Sequence, residues 1–158
     1  MLTATPIYLD YNATSPLRPA AKEAMIAALG APSNPSSVHK FGREARLQVE
    51  TARQKIARLI GGRSDEVTFT SGGTEANNLV LSGFNTVIAS RIEHDAVLEA
   101  RRDALLVDVD EMGVIKLDKL AMLLSGLTAE DKKSTLVSVM AANNETGVRQ
   151  PLQAIIEL

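Results

Sequence analysis

Two periods of apolar spacing take turns along this chain, and their order predicts its elements. Ile7-Tyr8-Leu9 is a short extended piece, ended by the turn-rich Asp10-Tyr11-Asn12-Ala13-Thr14-Ser15-Pro16. Pro19 suits a first helical turn, and Ala20, Ala24, Ala27 and Ala28 carry that helix to Gly30. Two prolines hold the next stretch, residues 31–37, as a loop. The clearest helix follows, with Ala45, Val49, Ala52, Ile56 and Leu59 forming a stripe at spacings of four and three. Its other face carries Arg46, Glu50, Arg53 and Arg58, read as solvated, and Gly61-Gly62 ends it.

Beyond residue 62 strands and helices alternate. Glu66-Val67-Thr68-Phe69 alternates polar and apolar residues and predicts a strand around Val67–Thr70. Ala76, Leu79, Val80 and Gly83 recur at helical spacing, so a helix runs from Thr74, followed by a strand at Thr86–Ala89. A helix from Glu93 to Arg102 precedes a strand at Leu105–Val107. After a turn at Asp110–Gly113, Leu117, Leu120, Leu123 and Leu124 mark another helix. The apolar run Thr135–Met140 reads as a fully buried strand. This βαβα order predicts an α/β fold, a mainly parallel, doubly wound sheet with helices on both faces.

Composition narrows the function classes. At 158 residues the chain suffices for one domain with a real core. A net charge of −2 with no block of like charge argues against a nucleic-acid surface or a basic membrane-binding face. Without cysteine, neither disulfides nor thiolate metal sites can form, and His39 and His94 share no ligand-spacing motif. The first residues lack the basic flank and apolar stretch of a signal peptide. No segment approaches the roughly 20 apolar residues that span a bilayer. A cytoplasmic protein is the expectation.

The candidate chemistry sits in Thr70-Ser71-Gly72-Gly73-Thr74-Glu75-Ala76-Asn77-Asn78. Paired glycines at a strand-to-helix junction let backbone come close to a ligand, and a helix start leaves N–H groups without partners. With the dipole and the Thr74 hydroxyl they make a seat for a phosphate. An ordinary turn with Ser71 or Thr74 as N-cap accounts for the same residues. In open α/β sheets ligands bind beyond the carboxyl ends of strands, where Gly73-Thr74, Glu93-His94 and Asn143-Asn144-Glu145 all fall.

Five collinear segments resemble the N-terminal part of cysteine desulfurases, in the class V aminotransferase group of pyridoxal-phosphate enzymes. They are Tyr8–Pro16, Asn34-Pro35-Ser36-Ser37-Val38-His39, Phe69–Asn78, Glu93-His94-Asp95-Ala96-Val97-Leu98 and Asn143-Asn144-Glu145-Thr146-Gly147. The resemblance covers nearly all of this chain but less than half of a typical member. It implies the large domain of fold type I, with an N-terminal arm and first helix over 1–30 and the first half of the cofactor-binding domain over 31–158. It further implies that the Gly73 backbone and Thr74 hydroxyl bind the phosphate of pyridoxal 5′-phosphate. His94 would stack on the pyridine ring and shuttle protons, and Asn144 would hydrogen-bond the phenolic oxygen. An imidazole offers a flat face and a pKa near neutrality, and an amide can donate to a phenolate without adding charge.

In the family, the aspartate for the ring nitrogen, the Schiff-base lysine and the persulfide cysteine follow the matched region. This chain has no cysteine, and the resemblance therefore implies that it is inactive alone. Ser37-Val38-His39-Lys40 copies the family's Ser-x-His-Lys lysine motif, but it precedes the phosphate loop and leads into a helix, so Lys40 is rejected as the Schiff-base lysine. The implied reaction converts L-cysteine to L-alanine, in a homodimer that passes sulfur to an acceptor or scaffold protein for iron–sulfur cluster or thio-cofactor assembly. Another class V aminotransferase, a selenocysteine lyase, and a non-catalytic interaction module are the alternatives. The implied fold sets later strands between the strand ending at Thr70 and the other three, so a chain without them is expected to be marginal, aggregation-prone or completed by a second polypeptide.

Overall fold

The computed structural model describes residues 6–30 and 34–158, and the chain divides into two units between Phe69 and Thr70. The expected domain boundary at residues 30 and 31 abuts residues 31–33, which lie outside the described residues.

In the first unit, α1 (Pro19–Ala28) starts with proline in its first turn, where a missing N–H costs nothing. Helix α2 (Lys40–Ile60) starts at His39, whose Nδ1 accepts the Gly42 N–H at 3.4 Å. It ends at Gly61, whose φ of +71° a side chain would oppose. Gly42 is needed for space, since a Cβ there would lie 2.1 Å from the Ser37 carbonyl oxygen. Lys40 is exposed and pairs with Glu44 one turn on, at 3.8 Å. The predicted stripe is only half realised. Ala45 is buried and Val49 half-buried, whereas Ala52, Ile56 and Leu59 are exposed, and Ala57, off the stripe, is buried instead.

The strand expected at Val67–Thr70 does not form. A 3-10 turn at Ser64–Glu66 leads into an extended Val67 (φ −98°, ψ 121°) that pairs with no strand among the described residues. A strand exists only as one side of a ladder, and here the Val67 carbonyl accepts from the Arg53 guanidinium instead. Arg53 also lies 4.8 Å from the centre of the Phe69 ring, a cation–π distance. Arg53 is therefore half-buried and holds this segment to α2, where the sequence pattern made it a solvated residue.

In the second unit, α3 (Gly73–Ser82), β1 (Thr86–Ser90), α4 (Asp95–Leu98), β2 (Leu105–Val107), α5 (Leu117–Ser125), α6 (Ala129–Lys133), β3 (Thr135–Ser138) and α7 (Leu152–Ile156) follow in order. The three strands form a parallel sheet in the order β2-β1-β3. Ile88 of β1 faces Leu105 of β2 on one side and Val137 of β3 on the other.

The period of two along β1 divides the core. Val87 and Ala89 pack with Leu81 of α3 and Val97 of α4, and Ile88 packs with Val107, Ile115 and Leu120 of α5. Helices therefore cover both faces, as the alternating pattern predicts. Strand β3 stops at Ser138 and is half-buried rather than fully buried. It pairs with β1 along one edge, and no described strand pairs with the other.

The helix expected over 93–102 is shorter. Regular helix ends at Leu98, although the Arg101 N–H still bonds the Val97 carbonyl at 3.1 Å. Beyond it the Arg101 guanidinium donates to the carbonyls of Leu81, Phe84 and Asn85 at 2.9, 2.8 and 3.0 Å, fastening this segment to the end of α3. The turn at Asp110–Gly113 forms as expected, with Gly113 at φ +79°. Helices α6 and α7 were not visible in the apolar spacing.

Candidate functional site

The start of α3 is built without a side-chain cap. Gly72 precedes it in extended conformation, and the first helical bond runs from the Ala76 N–H to the Gly72 carbonyl at 3.1 Å. The N–H groups of Gly73, Thr74 and Glu75 come before that bond and have no intrahelical partner. A Cβ on either Gly72 or Gly73 would meet nothing within 4 Å, so this backbone is open to a ligand. The loop is fastened from below by Glu75, whose Oε2 accepts both the backbone N–H and the hydroxyl of Ser71 at 2.6 Å. Those donors, the hydroxyl foremost, hold the Glu75 carboxyl below the usual carboxylate range.

His94 caps α4. Its Nδ1 accepts the Ala96 N–H at 3.0 Å, and Nε2 has no partner among the described residues. Thr74 and His94 line one cavity of about 390 Å³, together with Asn78, Asp95, Ala96, Glu99 and Ala100. Two of the predicted residues, from α3 and from the end of β1, are thereby brought together. The lining contains two carboxylates and neither lysine nor arginine, so a phosphate here would rest on N–H groups and a hydroxyl rather than on an ion pair. Larger cavities of about 640 Å³ elsewhere contain none of the predicted residues.

Gly73 and Asn144 are not among the lining residues. Asn144 is exposed on the turn after β3, where its Nδ2 donates to Glu145 Oε1 at 3.1 Å. Its neighbour Asn143 builds that turn: Oδ1 accepts the N–H groups of Glu145 and Thr146 at 2.9 and 2.8 Å. Asn78, which closes the candidate motif but has no role assigned from the sequence, lies four residues after Thr74, lines the same cavity, and donates through Nδ2 to the Thr74 carbonyl at 2.8 Å.

Glu93, beside His94, is half-buried. Burial pushes its carboxyl above the usual range, against the opposing pull of the Met140 N–H (2.6 Å to Oε1) and the Ser138 hydroxyl. From about pH 4.3, the ordinary glutamate value, up to that raised value, the folded chain holds a proton that the unfolded chain has lost. Stability should therefore fall as pH rises through this window, and Glu93→Gln should flatten that fall. The ion-paired Asp103 and Asp108, lowered by Arg101 and Arg91, act below the ordinary range instead. Urea unfolding across about pH 4–7 checks this, and an unchanged pH slope in E93Q would refute it.

Residues 7–158 match the family model described as Aminotransferase class-V. The chain belongs to that family. Among curated class V relatives, cysteine desulfurase IscS of Dictyoglomus turgidum is 41% identical over 168 residues, covering 96% of this chain and 41% of the relative. Selenocysteine lyase of Bos taurus is 37% identical over 178 residues, covering 94% and 41%. A NifS-like protein from Rickettsia africae superposes with a TM-score of 0.82 at 37% identity, over 91% of this chain and 42% of that one. A second NifS-like protein gives 0.84 at 35% identity, over 97% and 45%. The chain thus spans about two-fifths of the length of these curated relatives. The fold class expected from the sequence, part of the fold type I large domain, is that of the NifS-like structures. Among the described residues, no helix is long and apolar enough to cross a membrane.

Proposed function

We propose that this chain carries the phosphate- and ring-contacting part of a pyridoxal-phosphate-dependent cysteine desulfurase. The observation that carries the reading is the shared cavity of Thr74 and His94 beside the uncapped, glycine-lined start of α3. When bound, pyridoxal phosphate supplies an electron sink that makes bonds at the amino-acid α-carbon labile. The residues present fit its parts. Gly73 and Thr74 would bind the phosphate through N–H groups and the hydroxyl. His94 would lie against the ring, presenting its face and the unpartnered Nε2, and Asn144 would donate to the phenolic oxygen.

On this reading the complete protein is a cytoplasmic homodimer. It takes sulfur from L-cysteine, leaves L-alanine, and hands the sulfur to an acceptor for iron–sulfur cluster or thio-cofactor assembly. The expected domain division, 1–30 and 31–158, belongs to the same proposal. This chain has no cysteine to carry a persulfide and does not turn over alone. Selenocysteine lyase is the second reading, favoured by the bovine relative at 37% identity.

The test uses pyridoxine 5′-phosphate, which has the ring and phosphate but no aldehyde to react with surface lysines. Isothermal titration should show saturable binding to the chain, weakened roughly tenfold in Thr74→Ala by loss of a hydrogen bond to a charged group. Equal affinity in wild type and T74A would overturn the assignment.

A further inference from the structure

The two loops that carry His94 and Asn144 leave the sheet from adjacent strands, and the ladder between those strands ends early. The last paired residues are Ala89 of β1 and Ser138 of β3. Beyond that point two side chains replace backbone pairing. Glu93 Oε1 accepts the Met140 N–H at 2.6 Å, and Asn143 Nδ2 donates to the Ile92 carbonyl at 3.2 Å. The bonds run in opposite senses: one side chain reaches from the β1 loop to the β3 loop, the other reaches back. Each comes from the residue directly before a candidate cofactor contact, Glu93 before His94 and Asn143 before Asn144.

The turn bearing Asn144 needs no help to hold its own shape. The Gly147 N–H bonds the Asn143 carbonyl at 2.8 Å, and the Asn143 N–H bonds the Val148 carbonyl at 2.9 Å. Gly147 takes φ +75°, and Ala142 bridges to Arg149. Asn143 Oδ1 collects the Glu145 and Thr146 donors. What those internal bonds leave undetermined is where the turn sits relative to His94, and the Glu93 and Asn143 cross-links supply that. The Nδ2 of Asn143 also lies 3.3 Å from Met140 Sδ, beside the N–H that Glu93 engages, so the two cross-links share one neighbour.

We propose that Glu93 and Asn143 are positioning residues, a reciprocal latch that sets the spacing between His94 and Asn144 for a ring bound between them. This rests on the cofactor reading above and adds to it a division of labour. The start of α3 holds the phosphate independently of the latch, and the latch governs the ring. The two parts are separable by ligand, because inorganic phosphate engages only the first and pyridoxine 5′-phosphate engages both.

Three variants, each titrated with both ligands, test the latch. Glu93→Gln keeps a carbonyl oxygen for the Met140 N–H and should bind both ligands within about twofold of wild type. Glu93→Ala removes the acceptor, exposes the Met140 amide to hydrogen exchange, and should weaken pyridoxine phosphate roughly tenfold while leaving phosphate affinity unchanged. Asn143→Asp keeps the Oδ1 acceptor that shapes the turn but sets an oxygen against the Ile92 carbonyl. It should show the same selective loss even if E93A fails to fold. A structural role alone would move both ligands together or neither, and either result would overturn the latch. So would an E93Q that fails to rescue. If the wild-type chain binds neither ligand, or if T74A binds like wild type, the cofactor reading fails first and the latch falls with it.

Discussion

Leu120→Ala should destabilise the chain by about 2–5 kcal/mol, a large part of the stability expected of a domain this size. Leu120 is completely buried, on the face of α5 that meets Ile88, Val107 and Ile115. It therefore touches the central strand, an edge strand and the segment after the Gly113 turn together, and no single neighbour can collapse into the space it leaves. Leu120→Met, which nearly conserves volume, should cost less than about 1.5 kcal/mol. Urea unfolding followed by circular dichroism compares the two, and a Leu120→Ala loss under about 1 kcal/mol would show that this core can relax.

Gln150→Ala should follow closely, at about 2–4 kcal/mol, for a polar rather than an apolar reason. Gln150 is 7% exposed, with Oε1 accepting the Ile115 N–H at 2.9 Å and Nε2 donating to the Gly113 carbonyl at 2.8 Å. Alanine leaves the buried Ile115 N–H and the half-buried Gly113 carbonyl both unpaired, at a combined cost of about 2–4 kcal/mol. Gln150→Glu sharpens the test. At neutral pH the introduced carboxylate still accepts from Ile115 but opposes the Gly113 carbonyl. Once protonated it can donate there, so Q150E should regain stability as pH falls from neutral toward about 4.3, the ordinary glutamate value. Denaturant titrations at neutral and acid pH separate the cases, and a Q150E variant equally stable at both would refute the account.

These two residues show where sequence reading reaches and where it stops. Leu120 was legible because its spacing with Leu117, Leu123 and Leu124 is a property of one helix. The same holds for β1, whose apolar run is short and uninterrupted. Gln150 was not legible, since its partners lie 35 and 37 residues earlier and nothing local marks a glutamine as buried. The Val67–Thr70 segment failed for a related reason. Its alternation is that of a strand, but pairing is decided by a partner, and Arg53 took that place. In the candidate site, Thr74 and His94 stood out through motif and position, and the structure sets them on one cavity. Glu93 and Asn143 were quoted only as parts of motifs. Their cross-links span 47 and 51 residues, beyond any periodic signal.

The bond from the Ala96 N–H to His94 Nδ1 also decides which edge of the ring a ligand would meet. With Nδ1 committed as an acceptor, the neutral ring carries its hydrogen on Nε2 and offers a hydrogen-bond donor on its far edge. The cap that begins α4 therefore fixes the polarity of the imidazole as well as its place, and a rearrangement of residues 94–98 that broke this bond would let the ring turn an acceptor outward instead.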